Sequence, residues 1–144
     1  MDYFKINDSL GYLIGQTNSL MRYQFNKMIK EKGFNTSVEQ WGILNIVNAF
    51  PGITQTEIAL KGRKDKTNIT RMLDLLEKNG NIKRKPSKKD RRQYNIYITN
   101  NGIKLLNNII PISDEVNQQV TKGINKEELV KINSLLKIIQ TNLI

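Results

Sequence analysis

The chain has no cysteine and no histidine among its 144 residues. Without cysteine there is no disulfide, no thiol redox switch and no thiolate metal site. Without histidine the commonest general base and the commonest metal ligand are both missing. No run of about 18 apolar residues occurs, so no membrane span is expected. The N-terminal MDYFKINDS lacks the basic-then-apolar plan of a secretion signal, and a cytoplasmic protein is expected. The acids are scattered along the chain. With no carboxylate cluster to hold a metal and no histidine base, an enzyme such as a nuclease is not expected. Apolar residues make up 38%, enough for one core of moderate size. The length suits one domain, or one domain with helical extensions.

What is present is cationic charge, and it is concentrated. The net charge is +10. Residues 61–92 hold thirteen cations against Asp65, Asp74, Glu77 and Asp90, a balance of +9, and the other 112 residues together carry +1. A merely solvating surface would be spread over the whole chain. Concentration of this kind is the electrostatic footprint of a polyanion partner, and nucleic acid is preferred over a membrane surface or an acidic protein. The densest stretch, KPSKKDRRQYNIYIT from Lys85 to Thr99, places five cations in eight residues directly before an alternating run.

Periodicity gives the element order. Asp8 or Ser9 caps a helix of about 23 residues, in which Leu10, Leu13, Ile14, Met21, Phe25, Met28 and Ile29 recur at helical steps before Gly33. Thr36 with Glu39 and Ser37 with Gln40 form two overlapping capping boxes for a second helix striped by Val38, Trp41, Leu44 and Val47 and stopped at Pro51-Gly52. A third capping box, Thr54 to Glu57, with Ile53 as its staple, opens a short helix whose apolar side is Ile58, Ala59 and Leu60. Lys61 to Lys64 turns the chain. Asp65 or Thr67 then starts a helix that turns Ile69, Met72, Leu73 and Leu76 inward and shows Lys66, Thr67, Asn68, Thr70 and Arg71 outward. Ile82–Lys85 and Tyr94–Ile98 pair as a hairpin around a loop from Pro86 to Arg92. Thr99 opens a long helix carrying Ile103, Leu106 and Ile110, which Pro111 is expected to kink. Asn125 with Glu128 caps a last helix striped by Leu129, Ile132, Leu135, Leu136, Ile139 and Leu143.

The order predicts a mainly α fold with a small β-wing: a winged helix-turn-helix over residues 35–102, with residues 1–34 and 103–144 forming a helical dimerisation body. Lys66, Thr67, Asn68, Thr70 and Arg71 are the expected contacts of a recognition helix in the major groove. Lys88, Lys89, Arg91 and Arg92 are the expected wing contacts, at the neighbouring minor groove. Asp90 is expected to order the wing by gripping Arg91 or Arg92 bidentately. The terminal helices carry apolar stripes that need a partner, within one chain or across two. A two-fold dimer would set two recognition helices about 34 Å apart, one per half-site of a palindrome.

Two segments, DKTNITRMLDLLEKNGNIKR and DRRQYNIYITNNG, resemble the multiple-antibiotic-resistance regulator (MarR) family of bacterial transcription factors. The positions that match its wing signature are Asp90, Arg92, Ile96, Ile98, Thr99 and Gly102, and NKEEL from Asn125 resembles the start of its last helix. The resemblance implies a homodimer on a palindromic operator, usually near its own promoter, with Arg91 and Arg92 in or beside the minor groove. It also implies release or altered geometry when a small molecule binds between the DNA-binding lobe and the dimer body. Cysteine-based oxidant sensing, used by some members, is excluded here, and no cofactor or metal is expected. An aromatic or phenolic effector needs an apolar cleft with a polar handle; the candidates are Tyr12, Met21, Arg22, Tyr23, Trp41 and Phe50, which equally suit a core. At Asn81 the family more often has an apolar residue.

Overall fold

The computed structural model describes residues 8–62 and 65–144. Its elements, in chain order, are α1 (Leu10–Glu31), α2 (Val38–Ala49), β1 (Ile53–Thr54), α3 (Gln55–Gly62), α4 (Lys66–Lys78), β2 (Ile82–Pro86), β3 (Tyr94–Ile98), α5 (Asn100–Val120) and α6 (Lys126–Asn142). None of these helices is long and apolar enough to cross a membrane.

The caps explain where the helices begin. The Ser9 hydroxyl accepts the Tyr12 N–H at 3.2 Å and starts α1. Of the two boxes before α2, the second is used: Ser37 accepts the Gln40 N–H at 3.2 Å, while Thr36 donates to the Gln40 side chain. Asp65, not Thr67, caps α4, accepting the Asn68 N–H at 2.9 Å. Asn125 and Glu128 make both bonds of a capping box at α6, 2.8 and 3.1 Å long. Each cap satisfies a backbone donor that the first helical turn leaves free.

Four expectations change. Ile53 is more than a staple: with Thr54 it forms a short strand, Ile53 facing Ile96 and Thr54 facing Asn95, so the wing sheet has three strands in the order β1-β3-β2. Leu60, expected on the apolar side of α3, is exposed, and Ile58 alone is buried there. Lys61 and Gly62 finish α3 rather than turning the chain, and Arg63 and Lys64 lie outside the described residues. In α5 the buried positions are Gly102, Leu106, Ile109, Ile112 and Val116, whereas Ile103 and Ile110 are exposed. That helix continues through Pro111.

Two clusters hold the chain together. The larger joins Ile43, Leu44 and Val47 of α2 to Ile58, to Ile69, Met72, Leu73 and Leu76 of α4, and to Ile82 and Ile96 of the sheet. The smaller joins Phe25 and Ile29 of α1 to Ile109, Ile112 and Val116 of α5. Trp41 and Leu105 pack against both. The Trp41 indole N–H donates to the Leu106 carbonyl at 3.1 Å, and its ring lies 5.6 Å from that of Phe25. In contrast, α6 buries none of its residues.

Candidate nucleic-acid interface

α4 projects two different sets of side chains. Ile69, Met72, Leu73 and Leu76 fix it to the core, as their three- and four-residue spacing predicts. Lys66, Thr67 and Arg71 are exposed; Asn68 and Thr70 are half-buried. Three of the five expected contacts, Asn68, Thr70 and Arg71, have prior commitments. The Thr70 hydroxyl donates to the Lys66 carbonyl at 2.8 Å and accepts from the Gln55 amide of α3. The Asn68 carbonyl oxygen accepts from the Arg71 guanidinium at 3.0 Å.

The wing loop is ordered by backbone bonds. The Ser87 hydroxyl accepts the Lys89 and Asp90 N–H groups at 3.2 and 3.4 Å, and Ser87 and Gln93 close the loop through a 3.0 Å backbone bond. Asp90 does not make the expected bidentate grip. One oxygen, Oδ1, accepts the Arg92 backbone N–H at 3.0 Å and lies 3.5 Å from its Nε. Arg92 remains almost wholly exposed, and Lys88, Lys89 and Arg91 are exposed around it. Lys66 of α4 and Arg92 of the wing border one concavity of about 490 Å³. The helix and the wing therefore flank a common groove.

Sequence reasoning missed the residue that sets their relative position. Arg84 of β2 lies flat against α4, its Nη1 2.8 Å from Asp74 and 3.5 Å from Glu77. Its side chain is only 18% exposed. The signal was available: Arg84 is two residues from Ile82 and so shares its inward face, and the two acids are one helical step apart. Gly102, already singled out by the wing signature, is fixed by close packing. A Cβ there would sit 2.1 Å from the Asn81 carbonyl oxygen, where α5 leaves the sheet. Asn81 is itself buried at this junction.

A cleft of about 850 Å³ opens between α1, the start of α2 and α4. Arg22 and Asn18 form one wall, Glu39 and Gln40 another, and Asn68, Arg71, Met72 and Leu75 the third. Of the six effector candidates only Arg22 borders it. Tyr12, Met21 and Tyr23 lie on the exposed side of α1, Trp41 is partly buried against the two core clusters, and Phe50 sits beneath the Lys61 ammonium at 4.0 Å. Helical spacing could not separate these positions, because it reports a face and not what the face meets.

Glu39 is the charged anchor of the cleft. Its Oε1 accepts from Arg22 Nε at 2.7 Å, and its Oε2 accepts from the Asn26 amide at 3.4 Å. Burial alone would raise its pKa. A backbone N–H bond at the helix start, the hydrogen bond and charge of Arg22, and the Asn26 amide together outweigh burial and hold the carboxyl below its ordinary range. Asn26 also accepts the Val38 N–H at 2.8 Å, so α1 grips the first turn of α2 twice.

Comparison with known proteins agrees with this geometry. Residues 36–94 match the MarR family model. The chain is 21% identical to the HTH-type transcriptional repressor IacR of Pseudomonas putida over 142 residues, 99% of this chain and 84% of that protein. It is 27% identical to the transcriptional repressor MprA of Escherichia coli K12 over 112 residues, 78% of this chain but only 64% of MprA. Among solved structures, the S. aureus MepR–DNA complex superposes with a TM-score of 0.84 at 25% identity, covering 94% of this chain and 99% of that one. A mutant E. coli MarR complexed with operator DNA shares the fold, with a TM-score of 0.86 at 24% identity over 96% of this chain and 99% of that one.

Proposed function

We propose that the chain is a transcriptional regulator of the MarR family, which binds double-stranded DNA as a homodimer and represses transcription from a palindromic operator. It is a regulator, not an enzyme. The observation that carries the reading is the shared groove: Lys66 and Arg92 face one concavity, so α4 can enter a major groove while the wing reaches the adjoining minor groove. Such a protein works in the bacterial cytoplasm, on the nucleoid when bound. Residues 35–102 form the DNA-binding lobe, and the terminal helices form the dimer body. Asn68 and Arg71 of α4 share the cleft with Arg22 of α1. An aromatic or phenolic ligand lodged there would release DNA if it prefers a lobe spacing that DNA rejects.

The test is gel-shift titration on DNA flanking the protein's own gene, at several salt concentrations. Log affinity is expected to fall linearly with log salt, with a slope of about −0.9 per neutralised phosphate. Arg91→Ala and Arg92→Ala are each expected to weaken binding by about 1–3 kcal/mol. A flat salt response, or unchanged affinity in both variants, would remove the wing and its charge from the interface.

A further inference from the structure

On its outward side α4 carries a shallow groove of about 530 Å³ bordered by Thr67, Thr70, Arg71, Asp74, Leu75 and Lys78. Its lining is mainly apolar, and Leu75 is 40% exposed on it. A helix built only to meet phosphates and polar base edges has no use for such a strip. The hydroxyl of Thr70 is engaged on both sides, donating to the Lys66 carbonyl and accepting from Gln55. What Thr70 has left to offer the groove is its γ-methyl. Thr67 stands one turn before it on the same face, an i, i+3 neighbour. Arg71 and Lys78 edge the strip, and its one acid, Asp74, is paired with Arg84, so the occupant is an anionic surface with an apolar feature at its floor.

Duplex DNA has one such feature in its major groove, the C5-methyl of thymine. We propose that the Thr67–Thr70 strip reads thymine by methyl contact, so that the half-site contains a thymine specified without a hydrogen bond to Thr70. This rests on the DNA-binding reading above. Thr70 is then a specificity-determining residue whose hydroxyl serves the protein and whose methyl serves the DNA. Arg71, the long cation beside it, supplies the polar contact in the same groove.

The experiment selects duplexes from a random pool with the full-length protein, then replaces each thymine of the enriched site, one at a time, by deoxyuridine. That change deletes the methyl and leaves every hydrogen-bonding group. At one position or more, affinity is expected to drop about three- to fivefold, the value of one buried methyl. The drop is expected to vanish in Thr70→Ser or in Thr67→Ser, since serine keeps the hydroxyl and lacks the methyl. Enrichment of a site at which no thymine responds to deoxyuridine would overturn the inference and leave the regulator reading standing. A deoxyuridine effect that persists unchanged in both serine variants would overturn it too. Failure to enrich any duplex would overturn both readings together.

Discussion

Gly102 is held by its surroundings from two sides. The Asn81 oxygen that a new Cβ would meet at 2.1 Å accepts the Thr99 N–H at 3.0 Å, and Ile98 Cγ1 stands 2.7 Å away. Neither neighbour can retreat without breaking the strand-to-helix junction, where Thr99 also donates to the Gly80 carbonyl at 2.6 Å. Gly102→Ala is therefore expected to destabilise the fold by about 2–3 kcal/mol, read as a lower urea midpoint at unchanged slope. A midpoint equal to that of the parent protein would refute the close contact. Glu39 gives a second residue-level expectation, in pH. Its pKa is lowered in the folded chain, so its stabilising contribution is complete above the ordinary carboxylate range and is lost as pH falls through the lowered value. The melting temperature should fall on acidification from about pH 6 to about pH 3, and Glu39→Gln should flatten part of that slope. An identical slope in the variant would mean that the Arg22 pair does not couple folding to protonation.

At the scale of elements, the wing and α4 act as a unit because Arg84 joins them. Its partners Asp74 and Glu77 are half exposed, so the ion pairs themselves contribute at most about 1 kcal/mol to stability. Their larger effect is on preorganisation: with Arg84 in place, the wing meets DNA at a set angle to α4. Arg84→Ala is expected to lower operator affinity about tenfold, the entropy of ordering one or two side chains, with the melting temperature barely changed. Arg84→Lys, which keeps a charge within reach of Asp74, should recover part of that loss. Full affinity in Arg84→Ala would mean that the wing is positioned by the sheet alone. The sequence revealed α4 well because its buried residues, Ile69, Met72, Leu73 and Leu76, meet one core on one side. It misplaced the α5 face because that helix is apolar on two sides. Ile109, Ile112 and Val116 cluster with α1, while Ile103 and Ile110 are exposed. Strand β1 was invisible because two residues are too few to show alternation. The cleft was invisible because it joins residues 18–22, 37–40 and 68–75, which no local pattern links.

For the whole molecule, the main fact is the apolar surface that the described residues leave exposed. α1 exposes Leu10, Leu13, Ile14, Leu20 and Tyr23; α5 exposes Ile103 and Ile110; α6 exposes Val130, Ile132, Leu135, Leu136 and Ile138. A monomer in water ordinarily confines its largest apolar patch to about 300–600 Å². Within the chain α1 and α5 pack on one another through Phe25, Ile29, Ile109, Ile112 and Val116, but α6 buries none of its residues. A second copy can cover all three helices at once and set two α4 helices about 34 Å apart, the separation of half-sites one turn apart on DNA. The full chain is expected to sediment as a dimer at micromolar concentration. Because α6 contributes nothing to either intrachain cluster, removing residues 125–144 should leave the DNA-binding lobe folded while abolishing the dimer. Each freed lobe then binds its half-site alone and loses the advantage of linkage, about 10²–10⁴ in affinity. A full-length chain that sediments as a monomer, or a truncated one that grips the whole operator as tightly as before, would show that these apolar faces serve something other than pairing.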